Sequence, residues 1–224
     1  MFRIKTVIAH YDRIGIGAND NSAAVFCLME WARSMVVSTS STTTGFRSTT
    51  TNAQHNIRLI FTDGEELGET GGVAQQGAFP LAQVFRRLGI TNDDIYVFDC
   101  MGRGDVPVIA RTSIPPNVST KFLKAFSDLE QRAQRLLQSS AGGRWFTLPC
   151  SYSDNASFIA NGIPAVAITM LPSAEVEAVV ANGSCKTWEL LHTPGDNLSS
   201  LTPQSFEIFH NILNNLASMK TVSL

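Results

Sequence analysis

The sequence predicts a three-layer α/β/α domain built around a mixed, mostly parallel sheet. Short apolar runs alternate with longer amphipathic stretches, which is the rhythm of an α/β chain. Several of the apolar runs stop at an acid or a histidine. With 224 residues and 44% hydrophobic content, the chain suffices for the core of one such domain but is short for two. A single domain over 1–224 is therefore expected.

Taken in order, Arg3 to Ala9 (RIKTVIA) reads as the first strand. Asn19 to Met35 reads as a helix, because Ala23, Ala24, Phe26, Cys27, Trp31 and Met35 recur roughly at helical spacing. The Ser/Thr-dominated stretch that follows cannot bury a core face, so a mobile surface loop is expected near 38–56. The alternation resumes with strand Ile57 to Thr62, helical material from Phe79 to Leu88, strand Ile95 to Phe98 and a short strand near Val106 to Ala110. A longer amphipathic helix, about Val118 to Gln138, precedes a short strand around Trp145 to Leu148. A helical turn from Asp154 to Asn161 leads into strand Ala165 to Met170. Thr202-Pro203 opens the last helix with a capping residue followed by proline at the first position, and this helix runs to about Ser218.

Composition excludes several roles. The formal net charge is −2 and the basic residues are scattered, so no footprint for nucleic acid or for an anionic membrane surface is present. No apolar stretch approaches the roughly 20 residues of a membrane span. The first residues lack the apolar core and cleavage site of a signal peptide, so the sequence as written is expected in the cytoplasm, or in a secreted or periplasmic setting if its N-terminus has been trimmed. The four cysteines are far apart, which argues against a zinc ribbon or a dithiol redox centre. Oligomeric state is not readable.

The informative residues are those at strand ends. RIKTVIA runs into His10-Tyr11-Asp12, IRLIFT into Asp63-Gly64-Glu65-Glu66, and IYVF into Asp99. In open α/β sheets the carboxyl ends of neighbouring strands form the crevice where ligands bind, so these groups can converge. Carboxylates gathered in one crevice repel one another and lose hydration unless a positive charge sits among them. Arg13, Arg103 and Arg144 are the side chains that could supply it, but none flanks Asp20, Glu65-Glu66 or Asp99. Metal cations are the simpler counter-charge, and a mixed carboxylate and imidazole set suits zinc. Singly, Asp20 reads as an acid at a helix start, Glu65 and Glu66 as solvated turn acids, and His10 and His192 as hydrogen-bonded histidines. The case for a metal rests on the set, to which His55 and His210 do not belong.

These motifs resemble the bacterial leucyl-type aminopeptidases with two co-catalytic zincs, metallopeptidase family twenty-eight, whose relatives include the glutaminyl cyclases. Ala9-His10-Tyr11-Asp12 is similar to the family's His-x-Asp strand end, and Gly17-Ala18-Asn19-Asp20-Asn21 to its Gly-Ala-x-Asp-Asn turn. Asp63-Gly64-Glu65-Glu66-Leu67-Gly68 resembles the glutamate pair. Phe98-Asp99, Ser153-Asp154 with Phe158 and Gly162-Ile163-Pro164-Ala165, and His192-Thr193-Pro194-Gly195-Asp196-Asn197 follow in the family's order.

The resemblance implies two zinc ions per chain: His10 and Asp99 on one, Glu66 and His192 on the other, and Asp20 bridging. It implies Glu65 as general base, Asp12 as the outer acid fixing His10, and a cis Asp20–Asn21 bond. The implied substrate is a peptide with a free N-terminus and an apolar first residue. Met101, Phe158 and Leu191 are candidate pocket residues by their closeness to the motifs.

The sequence also departs from the family pattern. Only nine residues precede His10, where the family has a helix and further strands, so part of the usual sheet is expected to be missing or cut away. Asn155 stands where histidine is common, and Gly68-Glu69-Thr70-Gly71-Gly72 replaces the usual Gly-Leu-x-Gly-Ser. Rival readings on the same scaffold are a single-zinc glutaminyl cyclase, a carboxypeptidase or dipeptidase, and a non-catalytic binding module.

Overall fold

A computed structural model describes residues 3–40 and 56–220 of the chain. Six strands form one sheet: β1 (Lys5–His10), β2 (Ile57–Thr62), β3 (Asp94–Phe98), β4 (Val106–Arg111), β5 (Phe146–Pro149) and β6 (Ala165–Leu171), in the order β2-β1-β3-β6-β4-β5. The first four in that order run parallel. β4 and β5 are parallel to each other, and β4 pairs antiparallel with β6. The sheet is mixed and mostly parallel, the fold class expected above.

Alternation along the strands builds two cores. Val7, Ala9, Tyr96, Phe98, Val166 and Ile168 face one side, against α1 (Ala23–Ser40), α4 (Thr120–Ser140) and α8 (Pro203–Ser218). Ile8, Ile95, Val97, Ala165 and Ala167 face the other, against α3 (Ala78–Arg87) and α5 (Asn155–Ala160). The central strands are therefore buried on both faces, which is why they read as unbroken apolar runs. Lys5 ties the sheet to the last helix: its Nζ donates to the carbonyls of Leu216, Ala217 and Met219 at 2.7, 2.9 and 3.0 Å. A cation at a helix C-terminus satisfies carbonyls that have no partner within the helix.

The structure differs from the sequence reading in several places. Regular helix begins at Ala23 rather than Asn19, because Ala18–Ser22 forms a wide turn in which Asp20 and Asn21 leave helical geometry. Short helix α2 (Leu67–Gly71), α6 (Ser173–Asn182) and α7 (Lys186–Leu190) were not anticipated. In α6 the small residues Ala174, Ala178 and Ala181 dilute the apolar periodicity. Of the loop expected near 38–56, residues 41–55 lie outside the described residues, as does His55, while 38–40 belong to α1. Among the described residues, no helix is long and apolar enough to cross a membrane.

Candidate metal centre

The sheet order changes direction at β1, which has β2 on one side and β3 on the other. The carboxyl ends of β1 and β3 carry His10 and Asp99, so the crevice at this switch point receives both. A cavity of ≈ 500 Å³ opens there, lined by Asp20, Glu65, Glu66, Glu69, Asp99 and His192 among others. No lysine or arginine lines it. The three arginines near these motifs in sequence point elsewhere: Arg13 donates to the Ile16 carbonyl, Arg103 pairs with Glu175, and Arg144 with Asp105.

Two trios of ligand-type atoms meet in this crevice, His10 with Asp20 and Asp99, and Asp20 with Glu66 and His192. Asp20 belongs to both through different oxygens. His10 Nε2 lies 3.2 Å from Asp20 Oδ1 and 3.4 Å from Asp99 Oδ1, whereas His192 Nε2 lies 3.3 Å from Asp20 Oδ2 and 2.8 Å from Glu66 Oε2. His192 Nε2 and Glu66 Oε1 are nonetheless buried without a hydrogen-bond partner. Buried polar atoms are normally satisfied, so these two make the crevice a candidate site for an ion. The donor set, imidazole and carboxylate in each trio, fits zinc.

Outer residues hold this geometry. His10 Nδ1 bonds the Asp12 carbonyl at 3.2 Å and sits 3.5 Å from its carboxylate, which in the neutral ring directs the Nε2 lone pair to the crevice. The Asp12 carboxylate also accepts the backbone N–H groups of Glu65 and Glu66, each at 3.1 Å, fixing the glutamate turn to β1. Glu69 plays the corresponding part for His192, with 3.2 Å between Oε2 and Nδ1. Glu65 Oε1 accepts from Gln76 Nε2 at 2.7 Å, and Gln76 Oε1 accepts from Ser157 Oγ at 2.7 Å. Gly77 follows, where a Cβ would lie 1.7 Å from the Asp63 carbonyl oxygen, so only glycine lets this segment close against the glutamate turn.

The Asp20 turn is stapled from two directions. Asp196 accepts the N–H groups of Asn19 and Asp20 at 2.7 and 3.1 Å. Asn21 donates to the Phe98 carbonyl at 3.0 Å and accepts from the Cys100 N–H at 3.2 Å, bracketing Asp99, while Asn19 Oδ1 accepts from the Gly102 N–H at 2.8 Å. The Asp20–Asn21 peptide bond is cis. Cys100 and His192 have φ of 55° and 59°, a region non-glycine residues seldom occupy, and each adjoins or carries a metal-type ligand.

In the chain alone, protons supply the counter-charge. Burial, with the charge of Asp99, pushes the Glu65 carboxyl up to about 9, and burial with Asp20 pushes Glu66 to about 7. Against the cost of burial, Asp99, Asp12 and Asp20 keep the His10 proton well above the usual range. The bond to Asp20 chiefly raises His192 to about 9, while Asp20, although buried, is held down at about 2 by the two histidines.

Of the three residues expected in a substrate pocket, only Leu191 lines the cavity. Met101 and Phe158 are wholly buried in the two cores, Phe158 against the edge of Phe85. Their closeness to the motifs in sequence reflects the helices and loops that support the site. The cavity wall instead includes Trp188, on the unanticipated α7, and Tyr152, whose hydroxyl donates to the Gly68 carbonyl at 2.9 Å. Asp12, Asn21 and Asp196 lie within the motifs and were legible there as polar residues. Gln76 had no such signal, because it reaches Glu65 only through the fold.

Comparison with known proteins follows the same lines. Among solved structures, the chain resembles LapA aminopeptidase of Legionella pneumophila, with TM-score 0.61 and 20% identity over 96% of this chain and 51% of that one. It also resembles an aminopeptidase from Aneurinibacillus sp. strain AM-1 (TM-score 0.59, 18% identity, 96% and 43% covered) and BSAP, a zinc aminopeptidase from Bacillus subtilis (0.61, 16%, 96% and 45%). The chain thus spans about half the length of these structures, and the likeness is one of fold. No match was found among curated proteins. The sequence profile of peptidase family M28 matches residues 4–217, nearly the whole chain, and the chain therefore belongs to peptidase family M28.

Proposed function

We propose that this chain carries a two-zinc aminopeptidase centre, in which Glu65 moves the proton and the two trios hold the ions. The observation that supports it is the division of Asp20, whose two oxygens address separate histidines, each with its own further carboxylate. His10 and Asp99 would hold one ion, Glu66 and His192 the other, and Asp20 would span both. Zinc bound there supplies Lewis acidity, acidifying water and polarising a peptide carbonyl.

The chain's own residues account for the remaining steps. Gln76 engages Glu65 Oε1, and no bond among the described residues engages Oε2, which is the atom free to take a proton from the attacking water. Glu65 then returns that proton to the leaving amine, so that one carboxylate serves as base and acid. The acidic lining suits a substrate's protonated α-amine, and Leu191 and Trp188 offer apolar surface for its first side chain. The paired trios favour this reading over a single-zinc cyclase.

The experiment is hydrolysis of leucyl anilide, and of a leucyl peptide with its N-terminus free or acetylated, by the zinc-loaded chain and by Glu65→Gln. The expected result is turnover of the free substrates alone and loss of nearly all of it in Glu65→Gln with metal retained. Equal cleavage of the acetylated peptide, or full activity in the variant, would contradict the proposal. Cyclisation of an N-terminal glutamine without peptide hydrolysis would replace it with the cyclase.

A further inference from the structure

Beside the acidic cavity lies a second one of ≈ 320 Å³, and the two share the wall formed by Cys150, Ser151 and Tyr152. The charge of the two cavities is opposite. The first is lined by Asp20, Glu65, Glu66, Glu69 and Asp99 beside His192, without a lysine or arginine, whereas the second contains Arg111 and no acid. Arg111 ends β4, one residue after Ala110, which lines the first cavity, so about 3.3 Å of strand separates the two positions.

The guanidinium of Arg111 has no hydrogen-bond or ion-pair partner among the described residues. Arg111 is exposed, and the rest of the lining is largely apolar, with Val73, Pro115 and Ile159, so Arg111 is the charged group there that can bind a carboxylate by charge-assisted hydrogen bonds. The strand end beside it is pinned: Asn155, wholly buried, donates to Thr112 Oγ1 at 2.7 Å and accepts from the Ser153 N–H at 3.2 Å. Asn155 thus links Ser153, the residue after the shared wall, to the residue next to Arg111.

Resting on the peptidase reading, we propose that the second cavity is a subsite on the leaving-group side that binds a substrate carboxylate through Arg111, giving preference for short peptides. A short peptide is a zwitterion. Its ammonium suits the acidic cavity and its carboxylate the arginine, whose planar fork donates to two oxygens at once. At about 3.3–3.6 Å per extended residue, adjoining cavities of this kind fit peptides of roughly two to four residues. The carboxylate could be the C-terminal group or the side chain of an acidic residue after the cleaved bond.

The test compares Leu-Gly-Gly, its C-terminal amide, and Leu-Glu-amide as substrates, with leucyl anilide as reference, for the wild-type chain, Arg111→Ala and Arg111→Lys. Binding of Leu-Gly-Gly and its amide to the Glu65→Gln chain, with and without Arg111→Ala, is measured by calorimetry. Expected is a kcat/KM about tenfold higher for the free acid than for the amide, carried by KM, with a matching Kd ratio. That ratio should fall to about one in Arg111→Ala and recover in part in Arg111→Lys. A preference for Leu-Glu-amide over Leu-Gly-Gly, lost in Arg111→Ala, would identify the side chain as the source. Equal constants for acid and amide across all three substrates, or a ratio indifferent to Arg111, would overturn the subsite. Failure to cleave leucyl anilide would refute the peptidase reading, and the calorimetric ratio would still decide the subsite.

Discussion

The carboxylate of Asp196 accepts the backbone N–H of Asp20 at 3.1 Å, so the residue that faces both histidines is held from behind by a buried acid on the His192 loop. One carboxylate thereby links the turn that presents Asp20 to the loop that presents His192. Replacing Asp196 by asparagine keeps one acceptor but puts an NH₂ opposite a backbone N–H. Asp196→Asn is expected to weaken zinc binding by about 10–100-fold, as loss of an outer partner commonly does. Competition with a chromophoric chelator measures it, and unchanged affinity would remove Asp196 from the positioning role.

Gln76 should act on the rate rather than on the metal. Gln76→Leu removes the donor to Glu65 Oε1 and leaves the Ser157 hydroxyl only the Val73 carbonyl, at 3.4 Å. Turnover of leucyl anilide should fall about tenfold with KM and zinc content little changed, since a misplaced base costs activity without removing ligands. A fall in zinc content of the same size would show that Gln76 supports the fold of the centre instead.

Protons and metal compete for the same atoms, which fixes the sign of the pH dependence. Without metal, Glu65 (about 9), Glu66 (about 7) and His192 (about 9) all hold protons in the folded chain that the unfolded chain has released. The folded state therefore binds more protons, and stability of the metal-free chain should decline as pH rises from about 5 to about 9. Zinc must displace the histidine protons, so its affinity should rise over the same range and level off above about 9. Melting curves with and without zinc at several pH values test both statements. A metal-free melting temperature that rises from pH 6 to 9 would refute the assignment.

Much of this was legible because β1, β2 and β3 are apolar runs that end in charged residues, and strand ends in an α/β sheet are where ligands gather. Asp99 and His10 could be placed together from that alone. The reading failed where position depends on packing. Met101 and Phe158 sit beside motif residues in sequence, yet their side chains turn into opposite cores. The wide turn at Asp20 was read as helix because Asp20 also suits a helix start. Trp188 was missed because its helix is only five residues long and carries no periodic signal. Arg111 and Asp154 gave no hint of their surroundings, and Asp154, wholly buried beside Thr62, is raised to about 6 chiefly by that burial.

Lys5 offers a check on the fold apart from the site. Lys5→Met retains the aliphatic stem but takes the ammonium donor from the carbonyls of Leu216, Ala217 and Met219, of which Leu216 keeps the Met219 N–H at 3.3 Å. A loss of about 2–3 kcal/mol is expected, the cost of removing charged hydrogen bonds to one buried and two half-buried acceptors. Urea unfolding of the two proteins measures it, and a change under about 0.5 kcal/mol, typical of a surface site, would mean the tie between β1 and α8 is weak.

The division of Asp20 between two histidines stands or falls on how many ions the chain takes up. Metal-free protein titrated with zinc at pH 7.5, followed by calorimetry and by elemental analysis after gel filtration, should bind two ions per chain, and Asp20→Ala should lose tight binding at both. A folded wild-type chain that retains one ion or none under these conditions would contradict the two-zinc centre.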